Sequence, residues 1–132
     1  MKRTFVTFLV CTMLLGSGLR FYRLDGQSLW ADEGNSVALA TRSLGQIARD
    51  SAQDIHPPLY YWLLHIWVSF LGTSENAVRC LSAFLSLLAI PLTGLLARRL
   101  WGYGAGAGAA FFLALSPFQV YYAQEARMYA LA

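Results

Sequence analysis

Three windows of this chain carry no charged side chain: 4–19, 80–97 and 100–124. Runs of roughly 17–25 apolar residues are what a bilayer core demands. In such a setting every backbone polar group must be satisfied internally, so each run reads as helix. Between the first two runs the pattern changes. In 33–50, Val37, Ala40, Leu44 and Ile47 fall on one side at helical spacing, and Arg42, Gln46 and Arg49 on another. This predicts one amphipathic helix lying along a membrane surface, with Asp32 as its N-cap. Residues 57–71, "PPLYYWLLHIWVSFL", form an apolar run bounded by Pro57, Pro58 and Gly72, with Tyr61, His65 and Ser69 as a polar stripe. Fifteen helical residues reach only about 22 Å, short of a ~30 Å hydrocarbon core.

Charge then orients the runs. Lys2 and Arg3 place the N-terminus in the cytoplasm, and Arg98 and Arg99 should also be cytoplasmic. Both conditions hold if 57–71 does not cross. The fold class expected is therefore an all-α polytopic membrane protein. It has three spanning helices, about 4–22, 77–97 and 103–117, and two juxtamembrane or re-entrant helices, about 33–50 and 57–71. The first run has the basic start and small residues of a cleavable signal, but the later spans favour an uncleaved helix. In the third run, Gly102 with Gly106 and Gly104 with Gly108 are GxxxG pairs suited to close helix packing. No Gly-Lys-Ser/Thr follows them, which excludes a phosphate loop. The final "EARMYALA" begins another apolar segment, as expected of the N-terminal part of a longer protein.

Composition sharpens the picture. The 132 residues are 57% hydrophobic and only 13% charged, about half the charge of a soluble domain. The net charge of +3 comes without any basic, aromatic-interleaved surface, so nucleic acid is not an expected partner. Cys11 and Cys80 both sit in apolar runs, with neither metal-ligand nor disulfide-framework spacing.

With this topology Asp32, Glu33, His56, Arg79, Glu125 and Arg127 collect on one outer face. Ionisable residues at membrane spans are expensive and are functional candidates by default. Each also has a plain reading as a helix cap, a loop residue or an interfacial charge.

"LWADE", "HPPLYYWL" and "SPFQVYYAQEARMYAL", in that order, resemble the N-terminal module of the GT-C membrane glycosyltransferases. The similarity is to bacterial relatives of the dolichyl-phosphate-mannose protein mannosyltransferases. "GTSENAVRCLSA" and "LLARRLWG" between the motifs are similar as well. The resemblance implies transfer of a sugar from a polyprenyl-phosphate donor to a glycan, lipid or protein acceptor, outside the cytoplasmic membrane. It implies an essential acid at Asp32, a neighbouring acid at Glu33, a second acidic position at Glu125, and a His-Pro-Pro motif at His56.

The chemistry suits those residue types. A carboxylate can take the acceptor hydroxyl's proton, and Asp32 is the expected base. A lipid phosphate leaves with charge that Arg127 or Arg79 can meet with paired hydrogen bonds. Glu33, His56 and Glu125 are candidate ligands for magnesium or manganese, or candidates to orient the acceptor. Glycoside hydrolysis also uses two acids, but sequence neighbours at a helix start seldom straddle a substrate. The rival readings are a transporter fragment, which would place its charges near the bilayer midplane, and an inactive remnant of the transferase.

Overall fold

The computed structural model describes residues 1–53 and 57–131. The described residues are helical without strands, in seven α-helices and a closing 3₁₀ turn, Met128–Leu131. The helices are α1 (Lys2–Phe21), α2 (Ala31–Ala40), α3 (Leu44–Gln53), α4 (Pro58–Leu71), α5 (Glu75–Trp101), α6 (Tyr103–Leu115) and α7 (Pro117–Ala123). Of these, α1 and α5 are long and apolar enough to cross a membrane. The expected third span appears as α6, of 13 residues, followed by a bend at Ser116 and then α7. By itself α6 reaches only about 20 Å.

α1, α5 and α6 form the bundle. α6 starts beside Phe5, whose ring lies 5.7 Å from that of Tyr103, and ends where Ala114 accepts a hydrogen bond from Arg20. It therefore runs nearly the length of α1, and α5 returns antiparallel to both. Gly102, at φ 90°, makes the turn between α5 and α6 that an L side chain resists.

The close-packed seam continues the register of one expected pair, Gly102 and Gly106, and leaves out the other, Gly104 and Gly108. A Cβ on Gly106 would come within 2.6 Å of the Gly94 carbonyl oxygen, whereas Gly104 and Gly108 face open space. The working motif is Gly106-xxx-Ala110-xxx-Ala114, with both alanines fully buried, laid against Gly94 of α5. Small residues four apart keep one face of a helix narrow, and the alanines serve as well as glycines.

The predicted helix over 33–50 is two helices. Thr41 ends α2, its hydroxyl donating to Ala38 O at 2.8 Å. Ser43 then opens α3, with its N–H and hydroxyl both donating to Gln46 Oε1 at 3.2 and 3.0 Å. This is half of an S-x-x-Q capping box, a start signal present in the sequence. The break leaves Ala40 and Ile47 buried but turns Leu44 outward. Nor is Asp32 the N-cap of α2. That place is Trp30, whose N–H is met by the Glu33 carboxylate at 3.4 Å. Asp32 is the second helical residue.

α4 covers the start of α5. Tyr60 shares a 2.8 Å hydrogen bond with Ser82, and Trp67 Nε1 donates to Ala77 O at 2.8 Å. His65 Nδ1 donates to Ala40 O at 2.7 Å and Trp62 Nε1 to Leu44 O at 3.1 Å, tying α2 and α3 to α4. These helices enclose a second core of Ala40, Ile47, Tyr60, Leu64, Val78 and Ala126. It lies beyond the end of α1, around the first turns of α5.

Candidate functional site

Arg79, in the second turn of α5, is the hub of that end of the molecule. Its Nε donates to Glu33 Oε1 at 2.8 Å and its Nη2 to Oε2 at 2.6 Å. Nη1 donates to Leu24 O and Gln27 O at 2.7 and 2.8 Å, and Nη2 also to Ser28 O at 3.2 Å. A guanidinium has five N–H groups, and all five are used. The connection from α1 to α2, which turns at Arg23 (φ 52°), is thereby wrapped around one side chain. In this arrangement Arg79 offers no donor to a substrate phosphate.

Glu33 is equally committed. It is 0% exposed. Besides Arg79, its Oε1 accepts from the backbone N–H of Ala126 at 2.9 Å. Burial pushes its carboxyl up. The Arg79 hydrogen bonds, the Ala126 N–H, the Arg79 charge and the Trp30 N–H outweigh burial, and hold it below the usual carboxylate value. Glu33 therefore pins the segment after α7 to the start of α2.

Asp32, one residue away, points elsewhere. Its Oδ2 accepts from Arg127 Nη1 at 2.8 Å, with 44% of the Asp32 side chain exposed. The Arg127 guanidinium lies over the rings of Tyr129 and Trp30, 4.9 and 5.9 Å from their centroids. A half-exposed carboxylate can exchange protons with a bound molecule. A guanidinium with one N–H on that carboxylate keeps others for an anion.

Beside this pair is a cavity of about 540 Å³, walled by the end of α1, the wrapped connection and α7. Trp30, Glu33, Arg79, Tyr121, Gln124 and Glu125 line it. Glu125 is largely buried in its wall, near the Tyr121 hydroxyl.

Of the expected site residues, Asp32, Glu33, Arg79, Glu125 and Arg127 lie together at one end of the bundle. Lys2, Arg3, Arg98 and Arg99 are at the other, where Arg98 stacks on Phe5 and Tyr103. His56 lies outside the described residues. Among the described residues no three acidic, histidine or cysteine side chains converge as a metal site. Glu33 also does not fit a ligand's role, since Arg79 and Ala126 occupy both its oxygens. Cys11 and Cys80 are free.

Sequence reasoning missed Trp30 and Tyr121, which are aromatic among many, and Gln124. Arg20, at the end of the first expected span, was not among the candidates, yet it is fully buried.

A family model described as dolichyl-phosphate-mannose-protein mannosyltransferase matches residues 55–129, more than half of the chain. No curated protein and no solved structure matches it.

Proposed function

The chain belongs to the dolichyl-phosphate-mannose-protein mannosyltransferase family, and on that premise we propose that it forms the N-terminal part of a membrane glycosyltransferase. The enzyme takes a sugar from a polyprenyl-phosphate donor and passes it to a hydroxyl acceptor at the outer face of the cytoplasmic membrane. α1, α5 and the bent pair α6–α7 span the bilayer, while α2, α3 and α4 lie at its outer surface. The course of α6 from Phe5 to Arg20, alongside α1, supports the third crossing.

The observation that carries the reading is the Asp32–Arg127 ion pair beside the cavity that holds Glu125. In the reaction the acceptor oxygen bonds to the anomeric carbon. The bond from that carbon to the phosphate oxygen breaks, and the lipid phosphate leaves with the electron pair. Asp32 takes the hydroxyl proton as attack proceeds. Arg127, already beside Asp32, meets the phosphate charge through its remaining N–H groups. Glu125 orients the acceptor from the cavity wall. Glu33 and Arg79 are assigned to positioning: each is saturated, and together they hold the segments bearing Asp32 and Arg127.

The test is sugar transfer from a polyprenyl-phosphate donor by the complete polypeptide in proteoliposomes. Asp32→Asn should lower turnover at least ~100-fold, the low end for losing a general base. Turnover near that of the parent protein would remove Asp32 from the mechanism.

A further inference from the structure

Arg20 is fully buried between α1, α5 and α6, and its acceptors are neutral. Nε donates to Ser86 Oγ at 2.9 Å, Nη1 to Gly16 O at 3.3 Å and Ala114 O at 3.0 Å, and Nη2 to Leu113 O at 3.2 Å. No carboxylate among the described residues bonds to it. Burying a charge without a counter-charge is costly, and only hydrogen bonds offset that cost here.

The sequence of α6 explains why two of these acceptors are open. In a continuing helix the Leu113 carbonyl would accept from the N–H of residue 117, but that residue is Pro117, which has none. The Ala114 carbonyl would accept from residue 118. At Ser116 (φ −58°, ψ 117°) the backbone leaves the helix and carries that N–H away. Two carbonyls on the packed side of α6 thus lose their helical partners, that of buried Ala114 and that of half-buried Leu113. Arg20 supplies exactly those two with donors, and its positive charge suits the C-terminal end of α6.

The converse contact exists as well. α1 ends at Phe21, leaving its own last carbonyls open. Gln124, just past α7, donates through Nε2 to Leu19 O and Tyr22 O, both at 3.1 Å. Each segment caps the other: α1 caps α6 where it breaks, and the residue after α7 caps α1 where it stops.

We propose that Arg20 and Gln124 form a reciprocal clasp that fixes the bend at Ser116 and the direction of α7. The clasp thereby brings Glu125, Ala126 and Arg127 to Asp32 and Glu33. Both are positioning residues, since neither touches the Asp32–Arg127 pair. The clasp's consequence for catalysis rests on the function proposed above, whereas its consequence for geometry does not.

The experiment separates the two. Spin labels are placed at exposed Asn35 of α2 and Leu131 beyond α7, in the complete polypeptide with Cys11→Ala and Cys80→Ala. The distance between them, the melting temperature and sugar transfer are then measured. Arg20→Met should lengthen and broaden the distance distribution, and lower transfer on the order of 100-fold, as a displaced group does.

Arg20→Met combined with Pro117→Ala returns an N–H to Leu113 O. It should restore the melting temperature while the distance and transfer stay disturbed, because α6 then runs straight. Gln124→Glu keeps the size and removes the donor at a half-buried site, so it tests the same distance if Arg20→Met does not fold. An unchanged distance in Arg20→Met or Gln124→Glu would overturn the clasp. Recovery of distance and transfer in the double variant would also overturn it, reducing Arg20 to a filler of an open carbonyl. Absence of transfer even in the parent protein would count against the proposed function and leave the distance test standing.

Discussion

Glu33 and Arg79, 46 positions apart, face each other through two hydrogen bonds of 2.8 and 2.6 Å, with the carboxylate wholly closed to solvent. Next to them Asp32 and Arg127 form a second acid–arginine pair that is open. Two adjacent carboxylates thus differ in setting, one closed inside the fold and one open to solvent.

Removing the closed acid should therefore damage the protein before the chemistry. Glu33→Gln leaves Arg79 buried beside a neutral partner, and breaking such a pair costs about 3 kcal/mol or more. Asp32→Asn, at a half-exposed pair, should shift stability by no more than about 1 kcal/mol. Thermal melts in detergent compare them. Equal melting temperatures for Glu33→Gln and the parent protein would show that the pair does not organise this end of the molecule.

The same pair sets an acid limit. A carboxyl whose folded pKa is depressed contributes stability that is present above its unfolded value of about 4.3. That stability is lost as pH falls through the lower folded value. The melting temperature should therefore hold steady from neutral pH down to about 5 and fall steeply below about 4. Glu33→Gln should flatten part of that acid slope. An identical slope in the variant would assign acid sensitivity to other groups.

The helix seam gives a position-specific prediction. Gly106→Ala forces a Cβ to within 2.6 Å of the Gly94 carbonyl oxygen and of Arg98 Cβ. It should destabilise by about 1–3 kcal/mol, the usual cost of overpacking. Gly108→Ala meets nothing within 4 Å and should be neutral or stabilising by up to about 1 kcal/mol, from helix propensity. A reversal of that order would mean that α5 and α6 pack in another register.

Topology can be read by cysteine labelling on a background of Cys11→Ala and Cys80→Ala. A membrane-impermeant reagent applied outside should modify Asn35→Cys and Leu131→Cys, and should reach Trp101→Cys, exposed at the α5–α6 turn, only after the membrane is opened. Labelling of positions 35 and 131 from opposite sides would end the proposal that Asp32 and Arg127 share a compartment.

The stretches that formed helices were legible wherever an apolar run was long or a breaker was strong. Pro57 and Gly72 bracket α4, and the uncharged run 80–97 falls within α5. The break between α2 and α3 was written in Ser43 and Gln46, but the apolar spacing across it imitated one continuous helix. Of the two glycine pairs, only Gly102 and Gly106 lie in the register of the packed seam. Glycine marks where helices are able to touch, while Ala110 and Ala114 show that any small residue serves once the approach is set.

By itself the sequence determined that this chain is helical and bilayer-compatible. It also determined that its acids and arginines fall near the ends of apolar runs, because hydrophobic length and charge are properties of local composition. Only the tertiary structure decided what each charged group does. Arg79 is saturated by a connection some fifty residues earlier, Arg20 donates to carbonyls left open at the break after α6, and Glu33 and Asp32 take different partners. Hydrogen-bond satisfaction is a count over everything that surrounds a group, and no linear spacing contains that count.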